Sequence, residues 1–301
     1  MEVTLPFHLA LGGQRDETMT NVLSLTLFIC GTRFAAPVSV AAGRASPRPG
    51  EALRRRVRAV PITVALVRTV NGNVLFDTGL DAAHLADPVL REALFTDRGM
   101  VRPPVVDAAD DLRAVLAAEG LQLGDIDLAV LSHLHLDRTG GLKHLPRAPI
   151  LVGGAELDAA RGERVATRGS AGSIGTGRGV EGGDSAYLPA DLDLPAARFE
   201  RRSGDGEIDD GLTVLATPGV TAGHQSLIVT LPRGGPVILA GAALDRLADA
   251  GTGTPPAAAR DPDAAAASVR RIATLSAVTG AGIVAGEDAA QMDTLAGRTL
   301  T

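Results

Sequence analysis

The stretch Ser132-His133-Leu134-His135-Leu136-Asp137-Arg138-Thr139-Gly140-Gly141 decides how the rest of the chain is read. An apolar run, Leu128-Ala129-Val130-Leu131, leads into it, and two glycines close it. A buried strand thus delivers two histidines and a carboxylate into a loop. Histidines separated by one residue in an extended segment project to the same side and can meet one ion. Neutral imidazole and carboxylate are donor types that zinc and iron accept. The chain has only six histidines, and two fall here. That concentration favours a ligand pair over two solvated loop side chains.

At 301 residues and 45% hydrophobic content, the chain can bury a sizeable core in one large domain. A net charge of -6 argues against nucleic acid or an anionic membrane as a partner. Arg54-Arg55-Arg56 is a local charge run that reads as a solvated segment. The single Cys30 excludes an internal disulfide framework and fits a reducing compartment, so a cytoplasmic protein is expected. No apolar run reaches the roughly 20 residues of a membrane span. Val22 to Cys30 could mimic a signal-peptide core, but no basic segment precedes it. A strand explains it better, with Leu23, Leu25 and Leu27 on one face and Ser24 and Thr26 on the other. Aromatics are 2% of residues, with Tyr187 the sole tyrosine and no tryptophan. Such a chain offers few stacking platforms for sugars or nucleobases and more readily builds an aliphatic or acyl-binding surface.

The pattern predicts an N-terminal extension over residues 1–20, then a single domain over 21–301. Ile62 to Arg68 and Asn73 to Phe76 read as strands joined at Asn71-Gly72, a tight-hairpin signal. Asp107 to Glu119 reads as a helix ending at Gly120, and Asp127 to Leu131 and Pro149 to Val152 as short buried strands. Ala41 to Gly50 reads as a loop. The Gly-, Ser- and Arg-rich region near 161–186 is expected to be a flexible insertion. Leu212 to Ala216, Gln225 to Leu231 and Pro236 to Ala240 form a second strand cluster. Ala248 to Asp261 reads as a connection, Asp261-Pro262 opens a helix to about Ser276, and Gly282 to Ala285 is a last strand. Two strand-rich halves, each followed by helices, suggest layered packing in a mixed α/β protein.

From roughly Val22 onward, the order of these landmarks resembles the metallo-β-lactamase superfamily, and within it the N-acyl-homoserine lactonase branch. Val74-Leu75-Phe76-Asp77-Thr78-Gly79 resembles its first motif, Ser132 to Gly141 its second, and Thr217 to Leu227, with His224, its third. The resemblance implies an α/β fold of the αββα sandwich type, with a site at the strand edges. It implies His133, His135 and His224 as ligands of one metal, expected to be zinc, and Asp77 as a brace behind the metal loop.

The same resemblance exposes departures. Arg138 stands where the second motif ends in histidine, and Ala242 where a metal-bridging aspartate follows a buried strand. Glu287-Asp288 replaces a late histidine-aspartate, and the lactonase tyrosine is absent, with Asp245 near its place. Of the second metal's ligands only Asp137 remains. A guanidinium cannot ligate a cation, so Arg138 is expected to replace the missing metal electrostatically, paired with Asp137 or Glu287. Asp137 and Arg138 are the candidate catalytic pair. Glu287 and Asp245 are weaker candidates for the site, while His8, His84 and His144 are expected on the surface or in loops.

Three functions compete. One is a lactonase- or esterase-like hydrolase of a small acyl, ester or lactone substrate with at most one metal ion. Another is a metal-independent enzyme, such as a cyclase, lyase or isomerase. The third is a binding protein that retains the pocket without catalysis. Fold alone does not choose among them, and the oligomeric state is not legible.

Overall fold

In a computed structural model that describes residues 20–35, 58–91, 95, 102–169 and 187–301, the chain builds two mixed sheets. The first contains β1 (Val22–Ala35), β2 (Arg58–Thr69), β3 (Gly72–Phe76), β4 (Leu128–Val130), β5 (Ile150–Gly153) and β6 (Phe199–Arg202). The second contains β7 (Gly206–Asp209), β8 (Leu212–Ala216), β9 (Gln225–Leu231), β10 (Gly235–Leu239) and β11 (Gly282–Val284). A last strand, β12 (Thr299–Leu300), returns to the first sheet, giving the order β12-β1-β2-β3-β4-β5-β6 beside β11-β10-β9-β8-β7. β3 to β6 pair in parallel and β7 to β10 antiparallel, with β11 parallel to β10. The helices are α1 (Ala83–Ala86), α2 (Pro88–Arg91), α3 (Leu112–Ala118), α4 (Leu136–Thr139), α5 (Gly154–Gly169), α6 (Leu247–Thr252), α7 (Pro262–Thr279) and α8 (Ala289–Leu295).

Three apolar layers hold these elements. Between the sheets, Leu25, Val67, Phe76 and Val130 share a cluster with Val214, Leu227, Val229 and Leu239. On the outer face of the first sheet, Leu66, Leu75, Leu131 and Val152 cluster with Leu112 and Leu116 of α3 and Leu157 of α5. On the outer face of the second, Ile238 and Ile283 cluster with Val269 and Ile272 of α7. The order is helix, sheet, sheet, helix, as expected for an αββα sandwich. Strands covered on both faces need continuous rather than alternating apolar runs, and β2 with β4 and β5 supplies them.

Local chemistry sets the ends of the elements. Asp111 caps α3 by accepting from Arg113 N, and Asp261 caps α7 by accepting from Ala264 N, with Pro262 in its first turn. The β2–β3 hairpin turns at Val70-Asn71, one residue earlier than the sequence suggests, because Thr69 pairs with Gly72.

Several expectations need correction. In β1, Ser24 and Thr26 are buried while Leu23 is 50% exposed. A register shift between Val22 and Ser24 turns Leu23 out, and both faces of the rest of the strand are covered. The insertion expected near 161–186 begins as helix, since α5 runs to Gly169, anchored by buried Leu157 and Ala160. Ala248 to Asp261 is not wholly a connection, because α6 covers its first part. Residues 1–19, 36–57 and 170–186, which include His8, Arg54-Arg55-Arg56 and the expected Ala41–Gly50 loop, lie outside the described residues. Among those described, no helix is long and apolar enough to cross a membrane.

Leu227 is fully buried between the sheets. Leu227→Ala should cost about 2–5 kcal/mol, the usual price of a cavity at such a position. Urea unfolding measures it, and a loss below about 1 kcal/mol would show that the inter-sheet layer is loosely packed.

Candidate active site

Charged and imidazole side chains gather at one end of the sandwich because successive strands stop there. β3 ends into Asp77, and β4 runs through Ser132 to His133 and His135 before the single turn of α4 presents Asp137 and Arg138. The β8–β9 loop carries His224, β10 leads to Ala242, and β11 leads to Glu287. Two contacts lock the halves together. Gln225 N donates to Ser132 O at 2.9 Å, and Gln225 Nε2 donates to Leu131 O at 2.8 Å. Gly153 and Gly223 let the chains approach closely, since a Cβ on Gly153 would strike the Gly223 carbonyl.

Asp77 braces the loop. It adopts φ 62°, unusual for a non-glycine residue, and its two carboxylate oxygens accept from Ser132 N at 2.7 Å and Ser132 Oγ at 2.8 Å. Burial pushes its pKa up to about 6, against the pull of Arg138 and the Ser132 hydrogen bonds.

The hydroxyl chains assign the imidazole tautomers. Ser132 Oγ gives its proton to Asp77, so its 2.9 Å contact with His133 Nδ1 requires the ring to donate. Ser226 Oγ donates to Ala240 O, so Thr217 Oγ1 donates to Ser226 and accepts from His224 Nδ1. Both rings therefore carry their lone pair on Nε2. His135 Nε2 is buried and has no hydrogen-bond partner among the described residues. Burial lowers the pKa of all three rings, to about 3 for His224, so they stay neutral near pH 7.

Donor atoms of His133, His135 and Asp137 lie within 4.8 Å of one another. His224 stands slightly apart, its ring centroid 5.4 Å from that of His133. Its Nε2 accepts from Ala242 N at 3.1 Å, so Ala242 engages this histidine through its backbone.

Arg138 is 0% exposed. Its Nη2 lies 3.0 Å from Glu287 Oε1 and 3.6 Å from Asp137 Oδ2, and its Nε 3.8 Å from Asp77 Oδ2. The expected pairing with Glu287 and Asp137 is therefore present. A second cation joins it: Arg33 meets the other oxygen of Glu287 and lies 3.5 Å from Asp137 Oδ2. Burial alone would raise the pKa of Asp137, but Arg138 and Arg33 hold it below the usual carboxylate range. Asp245 instead faces Arg58 at 3.7 Å and accepts from Ala257 N.

Sequence reasoning missed Arg33 and Glu156. Arg33 had a signal, a charge in a run continuing β1. Glu156 had none beyond its place in the first turn of α5. It is fully buried and accepts from Leu134 N at 3.0 Å, Tyr187 Oη at 2.9 Å and Gly223 N at 3.1 Å. One carboxylate thus ties the His133–His135 loop to the His224 loop. His84, expected on the surface or in a loop, is buried instead, against Asp81, Asp191 and Lys143.

A sequence profile of the metallo-beta-lactamase superfamily matches residues 57–244, more than half of the chain. The chain belongs to the metallo-beta-lactamase superfamily. Its relatives there include an N-acyl homoserine lactonase from Bacillus sp., 30% identical over 64% of this chain and 65% of the relative. The N-acyl homoserine lactonase AttM of Azorhizobium caulinodans is 28% identical over 76% of this chain and 82% of its own length. The chain thus spans just under two thirds of the Bacillus relative. Among solved structures, a B. thuringiensis AiiA variant with N-decanoyl-L-homoserine at its active site superposes with a TM-score of 0.71 at 24% identity, covering 92% of this chain and 97% of that one. AidC, a dizinc quorum-quenching lactonase, superposes at 0.59 with 16% identity, covering 91% and 92%. These likenesses establish the superfamily fold.

The buried imidazoles of this superfamily member make a pH prediction. His224 has a folded pKa near 3, below the roughly 6.5 of an unfolded histidine. Its contribution is complete above about pH 6.5 and is lost as pH falls, because only the unfolded chain takes up the proton. Asp77, raised to about 6, runs the other way, stabilising below about pH 4 and losing that effect as pH rises through 6. In metal-free protein, the urea midpoint should fall between pH 6.5 and 5, and His224→Gln should flatten that fall. Equal slopes in the two proteins would show that His224 is not held neutral.

Proposed function

We propose that this chain is a lactonase-like hydrolase of an acyl, ester or lactone substrate that uses at most one metal ion, zinc in the first instance. The observation that carries the proposal is the buried Arg138 guanidinium against Glu287 and Asp137, at the position where the superfamily motif has a metal-binding histidine. The N-acyl homoserine lactonases among its relatives support the reaction class.

The residues fit one ion better than two. His133, His135 and His224 are neutral, two of them have Nδ1 anchored by hydroxyls, and His135 Nε2 is buried without a partner among the described residues. On the other side, Ala242 has no donor atom in its side chain and Asp137 is engaged by two guanidiniums. Arg33 and Arg138 face Asp77, Asp137 and Glu287, leaving one negative charge in surplus. A single divalent ion reverses that surplus by one charge, whereas two would pile positive charge beside buried arginines.

When bound, such an ion supplies Lewis acidity toward a carbonyl oxygen. The chain's own residues supply the orientation. Asp137, kept ionised by its two arginines, accepts a hydrogen bond from an attacking water; its low pKa suits it to orienting that water rather than to strong base catalysis. Arg138 is wholly buried, so it acts from beneath the site: its fixed positive charge, held by Asp137 and Glu287, stabilises negative charge as it builds on the substrate oxygen. The single buried Cys30 supports a reducing, cytoplasmic setting.

One contact favours a second reading. The Ala242 N–H already occupies the His224 lone pair, which suits metal-independent chemistry of the cyclase, lyase or isomerase kind, or a non-catalytic binding pocket.

Elemental analysis of protein purified without added zinc should give at most one transition metal per chain. Two tightly held ions that both persist in His84→Ala would overturn the proposal, and none would shift the balance to the second reading. Arg138→Ala should lower kcat/KM by about 10²-fold, as loss of preorganised charge stabilisation does, without changing metal content. Ordinary N-acyl homoserine lactones should be poor substrates, since the bridging carboxylate and lactonase tyrosine are replaced. Ring opening at about 1–10³ s⁻¹, the usual enzymatic range, would show that these replacements matter little.

A further inference from the structure

Behind the metal-type loop, Asp81, His84 and Asp191 form another buried cluster, and its centre is filled by the ammonium of Lys143. The Nζ atom lies 2.5 Å from Asp81 Oδ2, 3.0 Å from Asp191 Oδ1 and 3.2 Å from His84 Nε2. We propose that these donors are a second cation site, selective for a zinc-type divalent ion, with Lys143 as the competing resident cation.

The donors are spaced for such an ion. His84 Nε2 lies 3.8 Å from Asp81 Oδ2 and 3.5 Å from Asp191 Oδ1. A tetrahedral ion with bonds of about 2.0–2.1 Å needs donor separations of about 3.3–3.4 Å; the two histidine–carboxylate pairs are within a few tenths of an ångström of that, and all three donors lie within 4.8 Å of one another. A fourth donor is near: His144 Nε2 lies 3.5 Å from Asp81 Oδ2, and its side chain is 41% exposed. His84 is buried, its Nδ1 has no partner among the described residues, and its Nε2 faces the cradle. An ammonium beside that nitrogen requires its lone pair to point inward, as metal ligation does.

Charge favours a divalent occupant. Two carboxylates converge here, and Asp191 is 0% exposed, yet Lys143 offers one positive charge and a neutral His84 none. One negative charge is left poorly compensated, and a divalent ion removes it. The resident cation can leave, since the Lys143 side chain is 29% exposed. There is also an approach: a cavity of about 240 Å³, lined by Asp81, His144, Gly140 and Gly141 among others, adjoins the cluster. Thr139 Oγ1 lies 3.4 Å from Asp191 Oδ2, so an ion here fastens the segment around Asp81 and the segment around Asp191 to the turn that carries Arg138.

The test is Co²⁺ binding to the full chain at fixed free metal, counted per chain after equilibrium dialysis. His133, His135 and His224 are left intact in every variant, so ions at the first site cancel in each comparison. Lys143→Met should bind one more Co²⁺ than the unaltered protein, at least about tenfold more tightly, since a neighbouring positive charge is gone. Adding His84→Ala should abolish that extra ion. Equal stoichiometry in Lys143→Met and unaltered protein, or an extra ion that survives His84→Ala, overturns the proposal. Should Lys143→Met fail to fold, unaltered protein at millimolar Co²⁺ should gain an ion that His84→Ala does not, and equal binding by those two is the refuting result.

Discussion

Arginine keeps its proton at any working pH, so a guanidinium with no solvent exposure must be answered by carboxylates from its surroundings. Arg138 sets that requirement for the open end of the sandwich. Asp137 answers it from the neighbouring position, Asp77 from the end of β3, and Glu287 from beyond β11 in the other sheet. Three carboxylates overcompensate one cation, and Arg33 from β1 balances Asp137 and Glu287 in turn. The two sheets are thereby joined by charge at one end and by aliphatic packing along their length. Losing one partner from such a set typically costs about 3–5 kcal/mol, because the remaining charge stays buried. Arg138 and Glu287, 149 positions apart in the chain, therefore depend on each other.

The histidines obey a different constraint. Each hydroxyl beside them has one proton, and the neighbouring acceptors already claim it. Ring orientation and tautomer are consequently set by Ser132 and Thr217, which in turn depend on Asp77 and Ser226. Glu156 holds the two loops at a constant separation from beneath. A substitution at any of these supporting positions would alter where the imidazole lone pairs point without touching the imidazoles.

What was legible in the chain was what is local. His133, His135 and Asp137 are near one another in sequence, and the buried run before them identifies the strand that presents them. The β2–β3 hairpin, which turns one residue before its Asn71-Gly72 signal, and the Asp261-Pro262 helix start are likewise short-range features. What was missed depends on long-range contacts. Arg33 finds Glu287 across 254 positions, and no local pattern reports that. β6, with the sequence Phe-Glu-Arg-Arg, has too little apolar character to announce a strand, and it exists because β5 offers an open parallel edge. His84 looked like a surface residue because its partners, Lys143 and Asp191, lie 59 and more positions away. The helix at Gly154–Gly169 extends into glycine- and arginine-rich sequence because its first turns are anchored by Leu157 and Ala160.

The scarcity of aromatic residues has an optical consequence. The chain has no tryptophan and one tyrosine, and that tyrosine sits with its ring centroid 5.3 Å from His135 and its hydroxyl on Glu156. Ultraviolet emission excited in the phenol band therefore originates from a single point in the molecule, with no indole to drain or mask it. That point touches a candidate ligand and the carboxylate that joins the two histidine loops. The unlabelled protein carries its own reporter at the site, and any ion or small molecule that shifts His135 or Glu156 changes the phenol's environment directly.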